Sequence, residues 1–172
     1  MNCYAYAVDY QHMPKTPECT LDSCPIPFPQ PGRASGYPKW SAVKGKRCPD
    51  IMARAMGDIR GSKMGTFAGK CPNGMRKIAF VADEDQDYHV VRQDSNGFWS
   101  HKPGSTDVTN KDALARKIYD PSLASWNYPT SGLNYDEFCG YLCMPATQKH
   151  RLKRGGKRSQ QTRRRGSSPV RP

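Results

Sequence analysis

Cys3 follows Asn2, a residue type that caps helix N-termini, and opens CYAYAV, a compact run suited to a first buried helix. A thiol at such a place feels the positive end of the helix, and the free backbone amides there can hold a developing oxyanion. A cysteine nucleophile prepared in this way needs a histidine, brought alongside by another element, to take its proton. His89 suits that part. It lies within DYHVVRQ, a β-prone run, and shares a face with Val91 and Gln93 while Tyr88, Val90 and Arg92 share the other. A third polar group should orient the imidazole. The next run offers Ser100 and His101, and the loop beyond it offers Asn110, Asp112 and Asp120. As residue types alone, the pair more readily describes a buried structural thiol and a surface imidazole.

The segment DYHVVRQDSNGFWSHKPG predicts a hairpin, with strands at Asp87–Ser95 and Phe98–Lys102 about an Asn96-Gly97 turn. With those two residues as the turn, Gln93 faces Ser100, Val91 faces Lys102, and His101 faces Arg92 on the side away from His89. Ahead of it, Arg76–Ala82 reads as a strand, closed by the acidic turn of Asp83, Glu84, Asp85 and Asp87. CPDIMARAMGDIRG reads as a helix ended by Gly61, with Pro49 in the first turn and Asp50 at its positive end. Ile51, Ala55 and Ile59 form its apolar face, with Met52 and Met56 as core packing. Residues 13–40 hold seven prolines and predict an irregular excursion pinned by Cys19 and Cys24. The chain from Pro103-Gly104 to Asp120-Pro121 is polar and looped. In YDEFCGYLCMP, Cys139 and Cys143 would share a face if helical. Trp40, Trp99 and Trp126 read as packing residues, and His12 and His150 as exposed loop and tail residues.

The 172 residues have room for one domain and an appendage. Ten of the 27 basic residues fall in the last stretch: Lys149, Arg151, Lys153, Arg154, Lys157, Arg158, Arg163, Arg164, Arg165 and Arg171. The remaining 17 nearly balance 15 acidic residues, so residues 1–148 carry only +2 of the formal +12. A Lys/Arg arm rich in Gly and Ser neutralises phosphates without reading bases, and the absence of interleaved aromatics argues against base stacking. Nuclear import, an acidic membrane surface and a solvated tail are the competing readings of KHRLKRGGKR and its surroundings. No apolar run approaches the ~18 residues of a membrane span. The N-terminus lacks the basic and apolar regions of a secretory signal, so classical secretion is not expected. Seven cysteines allow three disulfides and one free thiol, or a reduced set. No C-x2-C pair supports zinc, and no metal or cofactor is expected.

The strings NCYAYAVD, FPQPGRASG, DYHVVRQDSNGFWSHKPGSTDVTNKD, IYDPSLA and FCGYLC, spread over residues 2–143, resemble a group of small bacterial and viral proteins. Those proteins look like papain-like cysteine hydrolases. The order, cysteine at a helix start and then histidine on a strand, is similar to the bacterial cell-wall papain-like endopeptidases. It is the reverse of the lecithin retinol acyltransferase-like order. The resemblance implies a papain-like α+β domain over 1–146, an N-terminal helix on a small antiparallel sheet that includes the His89 hairpin, followed by a basic tail over 147–172. It implies Cys3 as nucleophile, His89 as general base and then acid, and His101 as the orienting third group, acting on an amide or related acyl bond. Asn2 would serve the oxyanion site by its side chain or by capping the helix. Only Met1 and Asn2 precede Cys3, which leads us to expect an open site. The alternative is a non-catalytic structural protein of a virion or ribonucleoprotein that keeps the fold. Either reading has nucleic acid, and proteins of such an assembly, as partners, and a virion interior, nucleus or ribonucleoprotein particle as its setting.

Overall fold

A computed structural model describes residues 2–9, 30–40, 45–104 and 106–146. Among the described residues two helices, α1 (Cys3–Ala7) and α2 (Cys48–Asp58), accompany seven strands. These are β1 (Lys63–Gly65), β2 (Met75–Asp83), β3 (Asp87–Gln93), β4 (Trp99–His101), β5 (Asn127–Tyr128), β6 (Leu133–Asn134) and β7 (Glu137–Pro145). Five of them form an antiparallel sheet in the order β1-β7-β2-β3-β4, and β5 and β6 pair separately. The class is α+β.

The central strand β2 is buried on both faces, which is why its sequence is a continuous apolar run rather than an alternation. Ile78, Phe80 and Ala82, with Tyr88 and Val90 of β3, meet Tyr4, Ala7 and Val8 of the first helical segment and Ile51, Met52, Ala55 and Ile59 of the second. On the other face Ala79, Val81 and Val91 pack with Trp99, Ile118, Trp126, Tyr135 and Tyr141. Helices therefore cover one side of the sheet, and the long connections cover the other.

Asn2 starts α1 by accepting the Ala5 amide at 2.9 Å, as a capping residue should. Pro49 and Asp50 occupy the first turn of α2, and the helix stops at Asp58, before the Gly61 expected to end it. Met52 is core, but Met56 is 37% exposed and lies off the apolar face. The predicted strand at residues 76–82 extends by one residue at each end.

The hairpin forms with a different register. Asp94 and Phe98 close a three-residue loop, Asp94 donating to Phe98 at 2.8 Å and Gly97, at φ +85°, donating back to Asp94 at 2.9 Å. The strands are shorter than expected, and the partners become Val91 with His101, Arg92 with Ser100 and Gln93 with Trp99. A slip of one residue exchanges faces. It sends Trp99 fully into the core and moves His101 from the face opposite His89 onto the same one.

The FCGYLC segment is a strand, not a helix. It fills the slot between β1 and β2, and its register shifts opposite Phe80 and Val81 at a bulge where Gly140 has φ +130°. The bulge reverses the alternation, so Cys139 turns to the helix-covered face while Tyr141 turns to the other. Cys139 bonds Cys48 at the start of α2, and Cys143 bonds Cys71, closing sequence separations of 91 and 72 residues. Among the described cysteines Cys3 is free. Cys19, Cys24, His12, His150 and all ten basic residues from Lys149 onward lie outside the described residues. No described helix is long and apolar enough to cross a membrane.

Candidate active site

Strand β3 positions His89, and β4 positions His101 beside it. The two rings meet nearly edge to face at 4.9 Å, with His89 Nε2 2.7 Å from His101 Nδ1. The far nitrogen of His101, Nε2, lies 2.8 Å from the Lys111 carbonyl. A carbonyl can only accept, so His101 Nε2 carries a hydrogen. In a neutral ring Nδ1 is then bare and accepts from His89 Nε2, which leaves the lone pair of a neutral His89 on Nδ1. Both rings favour neutrality. Burial, reinforced by the neighbouring His101, holds the His89 pKa well below 6.5, and burial lowers that of His101 against the opposing pull of the Lys111 carbonyl and Asp112.

An aromatic wall fixes this pair. Trp126 stands 5.9 Å from the His89 ring and 5.3 Å from that of His101, and Tyr135 stands 5.6 Å from His89. Trp126 is anchored by donating its Nε1 hydrogen to the Pro121 carbonyl at 2.8 Å. The Lys111 carbonyl is held in turn by the loop around Asp112. That carboxylate accepts from the amides of Leu114, Arg116 and Ser125 and from the Arg116 guanidinium. Burial pushes the Asp112 pKa up, but these donors outweigh it and the net shift is downward.

Cys3 reaches β3 from its edge. His101 exchanges both backbone hydrogen bonds with Thr109, so Val91 and His101 are a non-bonded pair and Val90 directs its amide toward the β4 side. Beyond the end of β4 that amide points at the Cys3 sulfur, which the amides of Tyr4 and of Cys3 itself also approach. The thiol is half-buried and packs with the helix-side cluster that includes Tyr88 and Val90, whereas the His89 ring lies with Trp126 and Tyr135 on the other face of β3. Among the described residues no hydrogen bond joins it to an imidazole nitrogen. Burial first, and the charge of Asp87 second, push its pKa up to about 12 despite the three amides. Both shifts favour a protonated thiol and a neutral imidazole.

The other expected groups fall elsewhere. The Asn2 side chain is committed to the helix cap. Ser100 shares a hydrogen bond with the Tyr6 hydroxyl at 2.8 Å on the helix-covered face. Asn110 gives its carbonyl to the Ile118 amide, and Asp120 accepts from Ser122 and Tyr141. Sequence reasoning missed Tyr135 and the Lys111 carbonyl. The first carries no local signal, and a backbone group carries none at all. Trp126, read as packing, packs on the histidines. No group of three or more His, Cys, Asp or Glu side chains suited to a metal ion occurs among the described residues.

A curated protein of Ruditapes philippinarum, insoluble matrix shell protein 1, is 33% identical over 141 residues, which span 82% of this chain and 77% of that protein. No family model and no solved structure matches the chain.

Proposed function

The chain belongs to the family of insoluble matrix shell protein 1, and from its oriented histidine pair we propose that it is a papain-like cysteine hydrolase of amide or related acyl bonds. The observation that carries this is the relay from the Lys111 carbonyl through His101 to His89, which leaves the lone pair of a neutral His89 on Nδ1, together with a free thiol at the start of a helix that packs on the same strand. Cys3 attacks the acyl carbon as His89 Nδ1 takes its proton. The imidazolium formed is stabilised through His101, whose Nδ1 accepts from it, and returns the proton to the leaving group. Water then repeats the sequence on the thioester. Because the resting thiol is protonated, proton transfer accompanies attack rather than preceding it. The amides of Cys3 and Tyr4, freed by the helix start, are the oxyanion donors, and Asn2 contributes by capping.

The test is hydrolysis of a panel of N-acyl aminoacyl coumarin amides by the full chain. Replacing His89 by Ala should lower turnover by about 10²–10⁴-fold, and Cys3→Ala should abolish it. Hydrolysis that survives Cys3→Ala, or none on any substrate, would sink the proposal.

A second reading is favoured by the relative's name and by two long-range disulfides among the described residues. It has a structural protein that keeps the fold without turnover, with its ten C-terminal basic residues contacting nucleic acid. Binding of a DNA or RNA duplex that weakens steeply with salt, and is lost when those residues become Gln, is its measurement.

A further inference from the structure

A cavity of about 230 Å³ lies behind the aromatic wall of the histidine site and is lined by two of its residues, Trp126 and Tyr135. Trp126 and Tyr135 each show one surface to His89 and also line this cavity, with Phe138 completing an aromatic floor. Its size decides what it can hold. Whole small-molecule and cofactor sites run to about 300–1,000 Å³, so this space suits one side chain of a longer substrate. Its polar rim selects among side chains. Among the described residues, Ser125 and Asn127 offer neutral groups, the single charged residue in the lining is Asp136, and no Lys or Arg takes part.

The cavity does not end at that rim. Asn134 and Asp136 also line a neighbouring hollow of about 350 Å³, where, among the described residues, Asp83, Glu84, Asp85 and Glu137 face a single cation, Arg47. Arg47 is itself paired with Glu84, so the potential along this path is negative. An anionic side chain would be repelled over the whole approach. A cationic one would lay its methylene stem on the aromatic floor and its charge at Asp136.

Resting on the hydrolase reading for its catalytic meaning, we propose that this cavity is a specificity subsite for a lysine or arginine side chain of a polypeptide substrate flanking the bond presented to Cys3. The subsite lies behind Trp126 and Tyr135, so the aromatic wall that steadies the base also registers the substrate. Asp136 is a specificity-determining residue and not a catalytic one: it touches neither histidine.

Binding and turnover separate the two ideas. In the full chain carrying Cys3→Ala, which cannot turn over, acetyl-Ala-Lys-Ala-amide and acetyl-Ala-Glu-Ala-amide are titrated while tryptophan fluorescence is followed. The lysine peptide should bind more tightly, and Asp136→Asn should weaken it by about fivefold while leaving the glutamate peptide unchanged. Asp136→Lys should reverse the order of the two. In the unmodified chain the same ranking should appear in kcat/KM for lysyl against glutamyl coumarin amides. Equal affinities for the two peptides, or a lysine affinity indifferent to both Asp136 variants, overturn the subsite even if hydrolysis is found. Asp136-dependent lysine binding without hydrolysis keeps the subsite and removes the hydrolase.

Discussion

Alkylation of Cys3 by iodoacetamide reports the protonation state on which the mechanism depends. A thiol with pKa about 12 rather than the ordinary 9.0 holds about a thousandfold less thiolate at pH 7. A more basic thiolate is also a better nucleophile, and a Brønsted slope of about 0.4–0.5 over that shift returns roughly twentyfold. The net expectation is a Cys3 rate about fiftyfold below that of a free cysteine peptide at pH 7. Its logarithm should climb with unit slope past pH 9, where the peptide levels off. The assay is timed quenching with mass-spectrometric mapping of the labelled residue, and the urea-unfolded chain, where Cys3 should react at the peptide's rate, is the control. A plateau below pH 8.5 in the native chain would refute the reasoning: it would mean that an ion pair with His89 outweighs burial and the Asp87 charge.

Other expectations follow from the same geometry. His89 and His101 both have depressed pKa values when folded, so the unfolded chain binds their protons first as pH falls below about 6.5. Their contribution to stability is complete above that pH and is lost on acidification, and Cm in urea should fall from pH 7 to pH 5 by less in a His89→Phe variant. Asp112→Asn keeps one acceptor oxygen but sets an NH2 against the donors that Oδ2 now serves, and should cost about 2–3 kcal/mol in urea unfolding. The same variant should lower kcat by freeing the Lys111 carbonyl. Replacing Cys48 and Cys139 together by Ala removes a link which, with Cys71–Cys143 intact, closes a ring of about 27 residues, worth about 3.5 kcal/mol of loop entropy by calorimetric or denaturant measurement.

Local pattern carried the elements whose burial is local. Ile51, Ala55 and Ile59 recur at helical spacing and form the buried face of α2, and the apolar run of β2 reads as a strand covered on both sides. Asn96-Gly97 marked the hairpin but not its register, because a two-residue and a three-residue loop use the same dipeptide. What chose between them was the burial of Trp99 against Tyr141, a contact 42 residues away that no window contains. That choice also carried His101 to the side of His89. The segment from Glu137 to Pro145 was ambiguous for another reason: cysteines four apart share a face in a helix and in a regular strand alike. Only the bulge at Gly140, set by pairing with β2, separates them. Cys3, His89 and His101 were visible as residue types. Their supports, a backbone carbonyl and two aromatic rings from distant loops, were not.

The reversal within β7 has a mechanical meaning. Because its two cysteines turn to opposite layers, this one strand is riveted to the helix on one side and to the Cys71 loop on the other. Residues 147–172 continue directly from its end. Any pull on that basic segment, as when it is tethered to a surface, enters the domain through β7 and meets the pairing of Pro145 and Met144 with Met75 and Arg76 before it reaches Cys143 and then Cys139. The β2 ladder takes part of the load, and the two covalent anchors pass the rest into the Cys71 loop and the helix. His89 stands one strand further in, on β3, which does not pair with β7.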